Sequence, residues 1–119
     1  MKTDLLFITL NKTEKDYSPT TMYKDYALDE NMFHWQSQST ISDTSPTGQR
    51  YIQHQEKNNN IFLFVREQKK KNNFACPYNF IGPARYVSHS GSRPMSIVWN
   101  LEYSMPGKLV RTTMRLATA

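Results

Sequence analysis

The residues that hold the most chemistry in the shortest span are Phe33-His34-Trp35-Gln36-Ser37-Gln38-Ser39. Their alternation predicts a strand with Phe33, Trp35, Ser37 and Ser39 on one side and His34, Gln36 and Gln38 on the other. Glutamine pairs a donor with an acceptor, serine offers a hydroxyl, and tryptophan offers a stacking surface. Together these are the groups that read a nucleobase. A half-buried strand with a solvated polar face has the same spacing, so the stretch does not decide by itself. Two other segments bring similar groups. Tyr23 and Tyr26 flank Asp25, whose carboxylate is of the kind that accepts from a cytosine amino group. Ser88 to Arg93 is a dense run of hydrogen-bonding side chains that includes His89. Gln36 and Gln38 alternate away from Trp35 and Ser37, so one pocket can use all of them only if the strand bends.

Phosphate contacts have their own candidates. Ser45-Pro46 reads as a helix start, with Ser as cap and Pro at the first position, and the helix is expected to run to about Glu56. Thr47, Gly48 and Arg50 lie at its N-terminus, where unpaired amides favour an anion. Arg85 and Arg93 are the other expected phosphate ligands. Catalysis finds little support. There is no glycine-rich phosphate loop and no nucleophile motif. Cys76, His34, His54 and His89 are scattered without the paired spacings of a zinc site. Neither a metal nor a cofactor is expected, and the chain reads as a binding module, not an enzyme.

Charge points the same way. Through Asp43 there are four lysines against seven acidic residues, a net of −3, whereas beyond it eleven basic residues face three acidic ones, a net of +8. Such asymmetry suits one basic surface turned toward an anionic partner. Lys69-Lys70-Lys71, taken alone, reads as a solvated loop. The 119 residues form one domain, 1–119, with enough aromatic side chains to build one core. The single Cys76 excludes an internal disulfide and suits a reducing compartment. No apolar run approaches the ~20 residues of a membrane span, and Met1 to Leu6 is too short and too acidic for a signal peptide. The expectation is a soluble cytoplasmic domain with no membrane partner.

The elements that must position these groups follow from periodicity. Leu5 to Leu10 predicts a buried strand. Met22 to Ala27 predicts a short helical turn or irregular ledge, and Met32 to Ser39 the strand already described. Ile61 to Arg66 is apolar on both faces, as a central strand would be, and Lys69 to Pro77 is a charged, hairpin-like loop. Tyr78 to Val87 predicts a strand interrupted at Gly82-Pro83 by a bulge or bend that curves the sheet. Met95 to Leu101 alternates with Met95, Ile97, Trp99 and Leu101 inward. The tail Lys108 to Ala117 fits a helix or a strand equally. The sum is an α+β fold, a curved, mainly antiparallel sheet or partly open barrel with one or two short helices.

Several phrases resemble a known family. LFITLNKTEKDYSPTTMYKDYALDENMFHWQSQST, TGQRYI, IFLFVRE, PYNFIGPARYVSHSGSRPMSIVWNL and MPGKLV are similar to the C-terminal domain of unknown function of bacterial superfamily 2 (DEAD/DEAH-type) helicases, many of which also carry a phospholipase-D-type nuclease. Some of these proteins resemble type IV, modification-dependent restriction enzymes. The resemblance implies an SRA- or PUA-like barrel that recognises 5-methyl- or 5-hydroxymethylcytosine in DNA. It also implies a role in defence, with the helicase and nuclease domains of the parent protein as partners. The residues themselves support a basic, aromatic-lined polar site. Base contacts are expected from Tyr23, Asp25, Tyr26, Trp35, Gln36, Ser37, Gln38, Ser39 and His89. Two alternatives remain: a protein-interaction domain that couples helicase and nuclease without base readout, and a PUA-like domain that binds RNA or a modified nucleotide.

Overall fold

The computed structural model describes residues 2–11 and 25–111. Eight strands and one helix follow in the order β1 (Lys2–Asn11), β2 (Tyr26–Ala27), β3 (Met32–Gln36), α1 (Pro46–Ile52), β4 (Asn59–Gln68), β5 (Lys70–Lys71), β6 (Phe74–Ala75), β7 (Asn79–Ser90) and β8 (Ser96–Leu101). A second short helical segment covers 107–111. Six strands form one sheet in the order β1-β4-β7-β8-β3-β2, and β5 and β6 form a separate hairpin. Every pairing in the large sheet is antiparallel except β1 with β4, which is parallel. The sheet curls into a half-barrel, the α+β architecture that the alternating pattern predicts.

Alternation decides which side of each strand is buried. Leu6, Ile8 and Leu10 of β1, Ile61, Leu63 and Val65 of β4, and Ile97, Trp99 and Leu101 of β8 all face the core. Phe33 joins them from β3, opposite Trp99. α1 closes the concave side through Tyr51, whose ring packs edge-on against Trp35 and Trp99, with centroids 5.4 and 6.2 Å apart. Ser45 caps this helix by accepting from the Gly48 amide at 3.1 Å, and Pro46 follows at the first helical position.

Four boundaries differ from the sequence reading. β3 ends at Gln36 instead of Ser39: the Ser37 amide still bonds the Met95 carbonyl oxygen in register, but the Met95 amide goes to the Ser37 hydroxyl, and the chain turns away beyond it. α1 stops at Ile52, four residues short of Glu56, and turns carry the chain to β4. Gly82-Pro83 stands at the expected bulge without ending β7. The strand runs through it with Gly82 at φ +112, and the register shift falls beside it, opposite Leu63/Phe64. Ser88 to Ser90, expected in a loop, continue β7 opposite β8. The helical ledge is replaced at Tyr26–Ala27 by the short edge strand β2, and the rest of that ledge, from Met22 to Lys24, lies outside the described residues.

His54 ties three of these pieces together from a buried position. Its Nε2 accepts from the Tyr86 amide at 3.0 Å, so Nδ1 carries the proton and donates to the Asn59 carbonyl oxygen at 3.0 Å. Gly48 is required by close packing: a Cβ there would stand 2.0 Å from the Ser42 carbonyl oxygen. Backbone cannot yield as a side-chain tip can, so Gly48→Ala is expected to lower stability by about 1–3 kcal/mol in denaturant unfolding. His54→Ala removes the partner of the half-buried Tyr86 amide and leaves a hole where the buried imidazole stood, and should cost about as much.

Candidate functional site

The bend after Gln36 builds the site. Once the chain turns away beyond Ser37, alternate side chains no longer point to opposite faces. Trp35, Gln36, Ser37, Gln38 and Ser39 therefore line one cavity of about 790 Å³. Asp25, Thr40, Ile41, Thr47, Tyr51 and Pro94 complete that wall. The facing wall comes from the other side of the curled sheet: Leu5, Leu6, Phe7 and Thr9 of β1, with Arg66 and Tyr78. β1 and the β3–β2 pair are opposite ends of the strand order, so among the described residues the cavity occupies the gap between the two ends of the half-barrel. Its volume falls within the ~300–1,000 Å³ usual for ligand sites.

The wall is held by specific bonds. Asp25, buried, accepts from the Gln36 amide at 2.9 Å. The Ser37 hydroxyl accepts from the buried Met95 amide at 3.0 Å and donates to the Gln38 carbonyl oxygen at 3.0 Å. Ser37 thus shapes the wall and has no donor left for a ligand. Trp35 is half-buried between the core and the cavity, with its ring tilted toward Trp99 at 6.2 Å. Burial, together with the nearby Asp4 carboxylate, raises the Tyr51 hydroxyl above its ordinary pKa, with Arg50 opposing. Tyr51 therefore stays protonated at neutral pH. On the facing wall the Arg66 guanidinium lies over the Tyr78 ring, 4.4 Å from its centroid. Its Nε donates to the Thr9 hydroxyl at 2.9 Å.

The other predicted residues lie elsewhere. Tyr23 is outside the described residues. Tyr26 stacks on His34 at 4.7 Å along the β2 edge and does not line the cavity. His89 bonds the Tyr86 hydroxyl at 2.6 Å and approaches Asp43 at 3.8 Å. Of the expected phosphate ligands only Thr47 reaches the cavity. The Gly48 amide is already bonded to Ser45. Arg50 donates to both Asp4 oxygens, at 2.8 and 3.0 Å. Arg85 lies 3.8 Å from Glu102, and Arg93 sits exposed in the turn before Pro94 with φ 55. These five residues do not form one anion site.

Tyr51, Thr9, Arg66 and Tyr78 were not among the sequence candidates. Arg66 and Tyr78 stand at the two ends of the charged loop that begins at Lys69, and that placement was the available signal. Among the described residues no group of three or more His, Cys, Asp or Glu side chains could hold a metal ion. No described helix is long and apolar enough to cross a membrane.

Fold and site together define a small half-barrel domain whose unclosed seam is an aromatic and amide-lined cavity. The chain belongs to the family described as Domain of unknown function (DUF3427), which it matches over residues 1–118. No curated protein matches it.

The Asp4–Arg50 pair braces β1 against α1 behind the cavity. Burial pushes the Asp4 carboxyl up, but hydrogen bonds from Arg50 and Asn59 and the Arg50 charge outweigh it, so the pKa is lowered. A lowered folded-state pKa contributes stability that is complete above the ordinary carboxyl value and is lost as pH falls through the folded one. Arg50 is 41% exposed, so solvent screens the pair. Asp4→Asn should cost about 0.5–1 kcal/mol at neutral pH. That deficit against the unsubstituted chain should vanish in acid-unfolding curves below the carboxylate range.

Proposed function

We propose that this chain is a DNA-binding module that reads modified cytosine, 5-methyl- or 5-hydroxymethylcytosine, as the specificity domain of a helicase–nuclease restriction system. The observation that carries the reading is the convergence of Asp25, Trp35, Gln36 and Gln38 on one cavity at the seam of the half-barrel. A C5 substituent offers little or nothing to a hydrogen bond if it is a methyl, so it must be sensed by apolar contact. Trp35, Tyr51 and Ile41 supply such contact, and the glutamine amides supply paired donors and acceptors for the base edge. A base reaches a cavity of this depth only by leaving the stack, at a cost of a few kcal/mol that aromatic stacking partly offsets. The cationic Arg66 on the facing wall suits a phosphate beside the extruded nucleotide. The helicase and nuclease context rests on the resemblance of the sequence phrases alone.

The test is binding to matched duplexes that differ only at one cytosine: unmodified, 5-methyl or 5-hydroxymethyl. The chain is expected to prefer a modified duplex. Gln38, exposed at the rim, can be replaced without disturbing the core. Gln38→Ala should lose about 1–3 kcal/mol of that preference while non-specific affinity persists. Equal affinity of the unsubstituted chain for all three duplexes would overturn the reading in favour of an interaction domain without base readout.

A further inference from the structure

The convex side of the sheet carries a second feature, which meets the cavity wall at Leu5, Phe7, Thr9, Arg66 and Tyr78 and extends away from it through Phe62, Phe64 and Phe80. Parallel pairing sets Leu5, Phe7 and Thr9 of β1 beside Phe62, Phe64 and Arg66 of β4, and Phe80 of β7 lies opposite Phe64. The rings form a continuous cluster. Phe7 stacks on Phe64 at 4.9 Å with the planes 20° apart, Phe80 lies 5.2 Å from Phe64, and Tyr78 meets Phe7 edge-on at 5.1 Å. Phe7 and Phe80 are more than half exposed, at 55% and 61%. The cluster ends at Arg66, beyond which β4 leads into the β5–β6 hairpin. That hairpin presents Lys69, Lys70 and Lys71, all exposed, and Phe74 at 77% exposure.

Charge separates a nucleic-acid surface from a protein-docking one here. By register, Asp4 shares the inward row with Leu6, where Arg50 holds it, and Glu67 shares the row of Val65. The convex row of β1 and β4 is left with Thr, Leu, Phe, Asn, Gln and Arg66. Among the described residues, Arg66 and the three lysines form no ion pair. A surface of rings that are open on one face, flanked by unneutralised cations, is what single-stranded nucleic acid binds. Bases stack on the rings whatever their sequence, and the phosphates follow the cations.

We infer that the convex face of β1, β4 and β7, extended by the β5–β6 hairpin, is a second nucleic-acid site, one that binds single-stranded DNA by stacking and without regard to cytosine modification. The site does not rest on the reading of the cavity.

The test is titration of the 119-residue chain with fluorescent, unmodified oligodeoxycytidylate, whose bases lack a C5 methyl, followed by anisotropy as a function of salt. The expected result is salt-sensitive binding. Phe80→Ala and Phe74→Ala should each weaken it about tenfold, both rings being too exposed for their loss to unfold the domain. Replacing Lys69, Lys70 and Lys71 with Gln should flatten the slope of log affinity against log salt by about 2 units. Binding should be equal for an unmodified oligodeoxycytidylate and its 5-methylcytosine counterpart, which separates this site from the cavity. Absence of binding at low salt, or ring and lysine variants that bind as the unsubstituted chain does, would overturn the inference. So would concentration-dependent self-association abolished by Phe80→Ala, since that would assign the face to a protein contact.

Discussion

Trp99 sits where the concave sheet meets α1, and its burial is the constraint on which the other parts depend. The ring is fully buried against Trp35, Tyr51 and His54. Its indole N–H has no hydrogen-bond partner among the described residues. An unsatisfied buried donor costs about 1–3 kcal/mol. Removing some 150–250 Å² of aromatic surface from water at ~25 cal/mol per Å² gains about 4–6 kcal/mol, so burial wins. What the ring fixes is geometric. It holds the short α1 across the hollow of the sheet, and it fixes Tyr51 and Trp35 as one wall of the cavity. A helix of seven residues is too short to persist without such a contact.

The second device is the departure of the chain from β3. A strand continued to Ser39 would have sent Gln38 and Ser39 to opposite sides. Instead Ser37 bonds Met95 through both its amide and its hydroxyl, and the next residues turn along the seam. Asp25 supports the same bend by accepting from the Gln36 amide. One buried serine and one buried aspartate thus convert a two-sided polar strand into a one-sided polar wall. Both belong to the framework of the cavity, whereas Gln38, Ser39 and Thr40 are its exposed rim.

Much of the sheet was legible because one face of each strand is buried, and burial imposes the alternation that a sequence displays. Met95, Ile97, Trp99 and Leu101 alternate for that reason and are all inward. Ile61 to Arg66 read as apolar on both faces, and so it is, although its outer row meets water and neighbouring rings instead of a second layer. The cavity was legible in part. Trp35, Gln36, Gln38 and Asp25 were named from their chemistry, but the bend that unites them depends on a bond between Ser37 and Met95, 58 positions apart. Arg50 illustrates the opposite failure. Its position near a helix start suggested a phosphate ligand, but only the folded chain brings Asp4 to it across 46 positions. Tyr51, Arg66 and Tyr78 escaped notice because their roles come from curvature, which carries no local pattern.

The half-barrel uses its two surfaces differently, and the division follows from how each is stabilised. The concave side is closed by α1 and held by directional bonds at Ser37, Asp25 and His54, so the positions of its polar groups are fixed to within a hydrogen bond. Such rigidity suits discrimination between two bases that differ by one substituent. The convex side has rings that contact one another with no layer of described residues above them, and cations on a hairpin outside the main sheet. Contacts of that kind tolerate many bases and fix none. Leu5, Phe7, Thr9, Arg66 and Tyr78 belong to both, since the edge strand and the cation that ends the aromatic row also line the cavity. On the two proposals above, a strand engaged along the convex rings would arrive at the seam beside Arg66. The order of events on such a surface is then general attraction first and selection second, because charge acts over about 10 Å whereas the cavity acts only on contact.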